Sequence, residues 1–118
     1  MAKKILIIDD DPEVVGYLKD LFDGEGYVTY TANDGVAGLE QAQVHNPDLI
    51  TLDMDMPGRG GTLFYVKLRK EPGLAEIPVI VISGVGPRPP ALNNSVPVLS
   101  KPVDRTKTLR LVKEMLGE

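Results

Sequence analysis

Short aliphatic runs alternate along this chain with stretches of helical period, and that alternation points to a parallel α/β fold. Five runs read as strands: Lys4–Ile8, Val28–Ala32, Leu49–Leu52, Val79–Ile82 and Val96–Leu99. Several are apolar throughout, as central strands covered on both faces must be. The first helix opens on Asp11-Pro12-Glu13, an acidic cap with proline at the first helical position, and stops near Gly24 and Gly26. Its apolar stripe is Val14, Leu18, Leu21 and Phe22. A second helix starts after Asn33-Asp34, carries Val36, Leu39 and Ala42 on one face, and ends before Pro47. A third follows Gly60-Gly61 with Phe64, Tyr65 and Leu68 inward, leaving Leu63 and Val66 off the stripe. The last runs from about Asp104 to Met115, with Leu109, Val112, Met115 and Leu116 as its stripe.

Between Ser83 and Lys101 the pattern fails. Pro87, Pro89 and Pro90 exclude a regular helix there, leaving room for a turn of helix at Ala91–Asn94. With 118 residues, no repeat and no linker, the chain reads as one domain spanning 1–118.

Composition removes several classes of function. There is no cysteine, hence no disulfide framework, thiolate metal site or thiol nucleophile. A net charge of −4 opposes a nucleic-acid surface, which needs a basic patch. The apolar runs Ile5–Ile8 and Ile77–Ile82 are too short to cross a membrane or form a signal-peptide core. A cytoplasmic location is the expectation.

Ligands of an open parallel sheet bind at the carboxyl ends of its strands. Asp9, Asp10 and Asp11 follow the first strand, Asp53 the third, Ser83 the fourth and Lys101 the fifth. Asp11 is read as a helix cap. Asp9, Asp10 and Asp53 would crowd like charge into one place, which a hard divalent cation relieves. Mg²⁺ suits them, since it takes one or two carboxylates, keeps waters and meets a substrate phosphate. Asp53, at the rim of an apolar strand, can act as a nucleophile and carry a phosphoryl group as a mixed anhydride. Lys101 supplies a mobile positive charge for that group and Ser83 a hydroxyl donor. His45, the single histidine, reads as a surface residue, and Met54 and Met56 as packing or loop residues.

At these residues the chain resembles the receiver domain of two-component response regulators. The likeness is carried by Ile5–Pro12, by Pro47–Gly58 with Gly61, by Ile77–Gly84 and by Leu99-Ser100-Lys101-Pro102, in that order. It implies a flavodoxin-like, doubly wound five-stranded parallel sheet of order 2-1-3-4-5 and a cis Lys101–Pro102 bond. It also implies that Asp53 accepts phosphate from a phosphohistidine on a histidine kinase or phosphotransfer protein. Asp10, Asp53 and the backbone carbonyl of Asp55 would hold Mg²⁺, with Asp9 acting through a bound water. Ser83 and Lys101 would bind the phosphoryl oxygens and move with them, shifting the conformation read by a downstream partner or output domain. The resemblance makes this a domain that catalyses only its own phosphorylation and dephosphorylation, not an enzyme acting on other substrates.

Three departures stand out. Eighteen positions separate Ser83 from Lys101, so the fourth-helix region is shortened and proline-rich. Val98 stands where an aromatic residue is usual. Asp55 puts an acid at a position bordering the site. Two rival readings remain: a pseudo-receiver that has lost phosphorylation, and a haloacid-dehalogenase-like phosphatase, suggested by Asp53-Met54-Asp55. The residues after Leu116 offer no output segment, so either a stand-alone receiver or a piece of a longer regulator or hybrid kinase is expected.

Overall fold

The computed structural model describes residues 2–57, 60–84 and 96–118. Strands β1 (Lys4–Ile8), β2 (Val28–Ala32), β3 (Leu49–Asp53), β4 (Val79–Ser83) and β5 (Val98–Ser100) form one parallel sheet in the order β2-β1-β3-β4-β5. Helices α1 (Pro12–Gly24), α2 (Gly35–His45), α3 (Gly60–Lys70) and α4 (Arg105–Met115) cover it. This is the flavodoxin-like arrangement and strand order that the resemblance implies. The shortened fourth-helix region and the turn at Ala91–Asn94 fall almost wholly outside the described residues.

Strand limits shift by a residue or two, for identifiable reasons. The ladder continues past the last apolar residue of β3 and β4, because Met54 donates its N–H to the Ile82 carbonyl (3.0 Å) and Lys101 to that of Ser83 (3.0 Å). Asp53 and Ser83 therefore belong to the strands themselves. β5 begins at Val98, not Val96, since Pro97 has no N–H for the ladder; its carbonyl still accepts from Val81 (2.9 Å).

Three helices start on an aspartate cap. Asp11 accepts from the Glu13 N–H (3.0 Å), Asp34 from Ala37 (2.7 Å) and Asp104 from Lys107 (2.8 Å). α2 ends at Asn46, whose left-handed φ of 47° lets the chain turn into β3. The Asp11 side chain thus has the capping role read from the sequence.

The core lies in two layers. Leu6, Ile8, Ile50, Leu52, Val79 and Val81 face α2 and α3, where Ala42, Phe64, Tyr65 and Leu68 meet them. Ile5, Ile7, Leu49, Ile80 and Ile82 face the other way, against Leu18, Leu21 and Phe22 of α1 and Val112 of α4.

Two expectations are corrected. Val36 is 71% exposed and does not face inward. The buried residues of α2 are Gly38 and Ala42, because the helix approaches the sheet too closely for a larger side chain; a Cβ on Gly38 would lie 2.7 Å from Ile8 Cδ1. His45 is half-buried, not free at the surface. Its ring stacks on Tyr30 with centroids 3.7 Å apart, and its carbonyl accepts from Lys4 Nζ (2.6 Å).

Candidate functional site

The register of the parallel sheet decides which side chains meet. Asp53 pairs with Ile82 across β3 and β4, and Ser83 with Ser100 across β4 and β5. Asp9 continues β1 and donates its N–H to the Ala32 carbonyl (3.1 Å). Each strand end thus delivers its polar residue to the same edge, and the chain brings together all the residues singled out there.

Asp9 and Asp53 are each only 1% exposed, whereas Asp10 is exposed. Carboxylate oxygens of the three come within 4.8 Å of one another, an arrangement that can hold a metal ion. Lys101 Nζ lies 3.2 Å from Asp53 Oδ1, 3.8 Å from Asp9 Oδ2 and 3.7 Å from Asp55 Oδ2. Asp53 Oδ1 also accepts the Asp55 N–H (2.9 Å), and Asp9 Oδ1 accepts that of Asp11 (2.9 Å). The second oxygen of each buried acid, Asp9 Oδ2 and Asp53 Oδ2, has no hydrogen-bond donor among the described residues. A buried anionic oxygen without a donor is costly. A cation between these acids would satisfy both, so the residues present fit Mg²⁺.

The electrostatics carry the same signature. Burial pushes the Asp53 carboxyl above its ordinary range, as does the charge of Asp9; the Asp55 amide and Lys101 only partly offset this. Asp10 is raised by desolvation and by its contact with Asp53. Burial alone would lower the Lys101 ammonium, but Asp53, Asp9 and Asp55 outweigh it and hold the lysine charged. The site is thus short of positive charge, which a metal would supply. The Lys101–Pro102 peptide is cis, in agreement with the resemblance.

α3 abuts this edge through a glycine. A Cβ on Gly61 would sit 2.6 Å from the Asp53 carbonyl oxygen and 2.9 Å from Met54 Sδ, both too close. Gly61→Ala must push the helix away from the acceptor. The expected cost is about 1–3 kcal/mol of stability, seen as a lower urea midpoint. An unchanged midpoint would show that the helix gives way freely.

The sequence underrated Asp55. The resemblance offers its backbone carbonyl, and its position makes it a neighbour of the site, yet its side chain is a central acceptor. Ser83 Oγ donates to Asp55 Oδ1 (3.2 Å), and the Gly84 N–H donates to Asp55 Oδ2 (2.6 Å). The available signal was an acid two residues beyond the acceptor, set opposite a serine followed by glycine. Val98 lies exposed on β5, without an aromatic ring to turn toward Ser83.

Comparison with known proteins agrees with this geometry. The sequence matches the response regulator receiver domain over residues 5–113. Protein Rrf1 of Nitratidesulfovibrio vulgaris is 32% identical over 117 residues, covering 99% of this chain and 85% of that protein. The signal receiver domain of a signal transduction histidine kinase from Syntrophus aciditrophicus superposes with a TM-score of 0.86 at 27% identity, over 98% of this chain and 91% of that one. A sensor histidine kinase receiver domain from Pseudomonas aeruginosa, solved with magnesium in its active-site cleft, shares the fold at a TM-score of 0.84 and 20% identity, covering all of both chains. With its strand order, its clustered acids and its lysine in place, the chain belongs to the response regulator receiver domain family of two-component systems.

Proposed function

We propose that this domain takes a phosphoryl group onto Asp53 and uses it as a signal. The observation that carries the reading is a buried, lysine-paired carboxylate beside two further acids at the carboxyl edge of the sheet. Asp10, Asp53 and the Asp55 backbone carbonyl would hold Mg²⁺, with Asp9 acting through a water. When bound, the ion neutralises the acids and the equatorial oxygens of the phosphoryl group.

The rest is the work of the chain's own residues. A carboxylate oxygen of Asp53 forms the new P–O bond, while the bond from phosphorus to the donor breaks and the donor keeps the electron pair. Lys101 is held charged to pair with the oxygens that gather charge. Ser83 and the Gly84 amide lie alongside as hydrogen-bond donors. The edge of the sheet supplies positioning, which is most of what phosphoryl transfer requires.

Donor and receiver of the signal follow from family membership. A phosphohistidine on a histidine kinase or phosphotransfer protein would load the site, and a downstream protein or output domain would read it. The net charge of −4 gives no basis for direct nucleic-acid binding. No helix among the described residues is long and apolar enough to cross a membrane. The Asp53-Met54-Asp55 triplet sits at the end of the third strand with a separate acidic pair opposite, which favours a receiver over a phosphatase of similar motif.

Incubation with acetyl phosphate and Mg²⁺, followed by intact mass, tests the proposal. One added phosphoryl group is expected, and none when a chelator replaces the metal. A wild-type chain that gains nothing would make the domain a pseudo-receiver.

A further inference from the structure

We propose that the seam between α2 and α3 docks a second copy of this chain, about a twofold axis along the seam, so that α2 of each copy lies over α3 of the other. This face shares no residue with the acid cluster, and its pairing needs no phosphoryl group.

Both helices carry the chain from the carboxyl edge of the parallel sheet back to its opposite edge, so they run side by side in the same direction. They start level: a Cβ on Gly35 would lie 2.9 Å from the Gly60 carbonyl oxygen. Between them is a groove of about 350 Å³ lined by Val36, Leu39, Leu63 and Phe64, together with Asp34 and Lys67. Val36, Val44 and Leu63 are three of the six large apolar side chains left exposed among the described residues. Exposed apolar surface is thus concentrated on these two helices, as it is at protein contacts, and not scattered singly.

The charges say what covers it. Spacings of four put Val36, Glu40 and Val44 in one row along α2. Spacings of four and three put Leu63, Lys67 and Lys70 in one row along α3. Glu40, Lys67 and Lys70 are exposed, and none forms a salt bridge with a described residue. One row is apolar and acidic, the other apolar and basic.

A twofold axis along the seam lays one row on the other without reversing its direction. Val36 then meets the partner's Leu63, and Glu40 meets the partner's Lys67. Counted from the level starts at Gly35 and Gly60, the paired residues differ by two positions, about 3 Å of helix rise. A lysine side chain spans that. An axis across the helices would instead set acid upon acid and base upon base, and a partner of one charge would match only one row. The face is complementary to itself, as an isologous interface must be. Burial of the apolar residues supplies the affinity, and the ion pairs fix the register.

Sedimentation velocity of the full chain from about 10 µM to about 1 mM tests this, with a monomer expected at the low end and dimer growing toward the high end, as for a small interface. Leu63→Asp puts a charge into the seam twice per dimer and should leave a monomer throughout. Lys67→Glu and Glu40→Lys should each weaken association about tenfold, since a symmetric dimer meets each change twice. The double variant exchanges acid and base, and should return to within about threefold of wild type. Thermal unfolding shows that each variant is folded.

A wild type that stays monomeric up to about 1 mM would overturn the proposal and leave the groove to a different protein. Dimers that survive Leu63→Asp, or a double variant that associates no better than either single one, would overturn it as well.

Discussion

Asp53→Asn is expected to abolish phosphoryl incorporation and also to stabilise the metal-free fold. The first effect follows from removing the nucleophile. The second follows from what the site costs. Asp53 is buried, one of its oxygens lacks a donor, and burial together with Asp9 raises its pKa. A carboxyl whose folded pKa lies above its unfolded value of about 3.9 binds more protons in the folded state than in the unfolded one. Stability therefore falls as pH rises from the unfolded value through the folded one, and stays lower above it. Asn at this position carries no charge and escapes that loss. At neutral pH without metal the variant should gain about 1 kcal/mol, or roughly 4 °C in midpoint for a domain of this size. The gain should shrink as the pH is lowered toward 4. Mg²⁺ should reverse the order, because it stabilises wild type by about 1.4 kcal/mol at ten times its dissociation constant and the variant by less. Thermal unfolding of both chains with and without Mg²⁺, at two pH values, checks every part. A variant less stable than wild type in the absence of metal would contradict this view of the site.

The second large effect lies in the core. Phe64 is 2% exposed and forms the seam between α3, α2 and the sheet. Its fit is close, since a Cβ on Gly38 would meet its ring at 3.3 Å and one on Gly35 its Cβ at 3.4 Å. Phe64→Ala is expected to cost about 3–5 kcal/mol, a large part of the roughly 5–15 kcal/mol available to such a domain. Its sequence neighbour Leu63 is 53% exposed, and Leu63→Ala should change stability by no more than about 0.5 kcal/mol. Urea unfolding of the two variants makes the comparison. A Phe64→Ala loss below about 1 kcal/mol would mean that the seam refills itself.

The contrast between Phe64 and Leu63 shows what can be read from a sequence. Period 3.6 on α3 separated the buried residue from its exposed neighbour correctly, because that helix presents large apolar side chains to the sheet. The same reasoning misplaced Val36, because α2 packs through Gly38 and Ala42 and the size of a side chain there opposes its burial. A pattern of hydrophobic residues does not register how near two backbones come. Strand ends were legible to within a residue or two, and their small error has a cause: Asp53 and Ser83 are polar yet remain in the ladder.

The candidate site was the most legible part. An open parallel sheet sends its polar residues to one edge, so Asp9, Asp10, Asp53, Ser83 and Lys101 could be grouped before any distance was known. The hydrogen bonds that the Asp55 side chain accepts from Ser83 and Gly84 were not legible, because they depend on which way one carboxylate turns. His45 was misjudged for a similar reason: its stacking on Tyr30 joins the end of α2 to the preceding edge strand β2, a contact set by how the two elements pack.

Chemical location of the phosphoryl group is the most direct test of the central claim. Borohydride reduces an aspartyl phosphate to homoserine and leaves free carboxylates unchanged, so it marks the acceptor permanently. After treatment with acetyl phosphate and Mg²⁺, reduction and peptide mapping should find homoserine at position 53 alone. Homoserine at position 9, 10 or 55, or none at any position, would contradict the assignment of Asp53 as the phosphoacceptor.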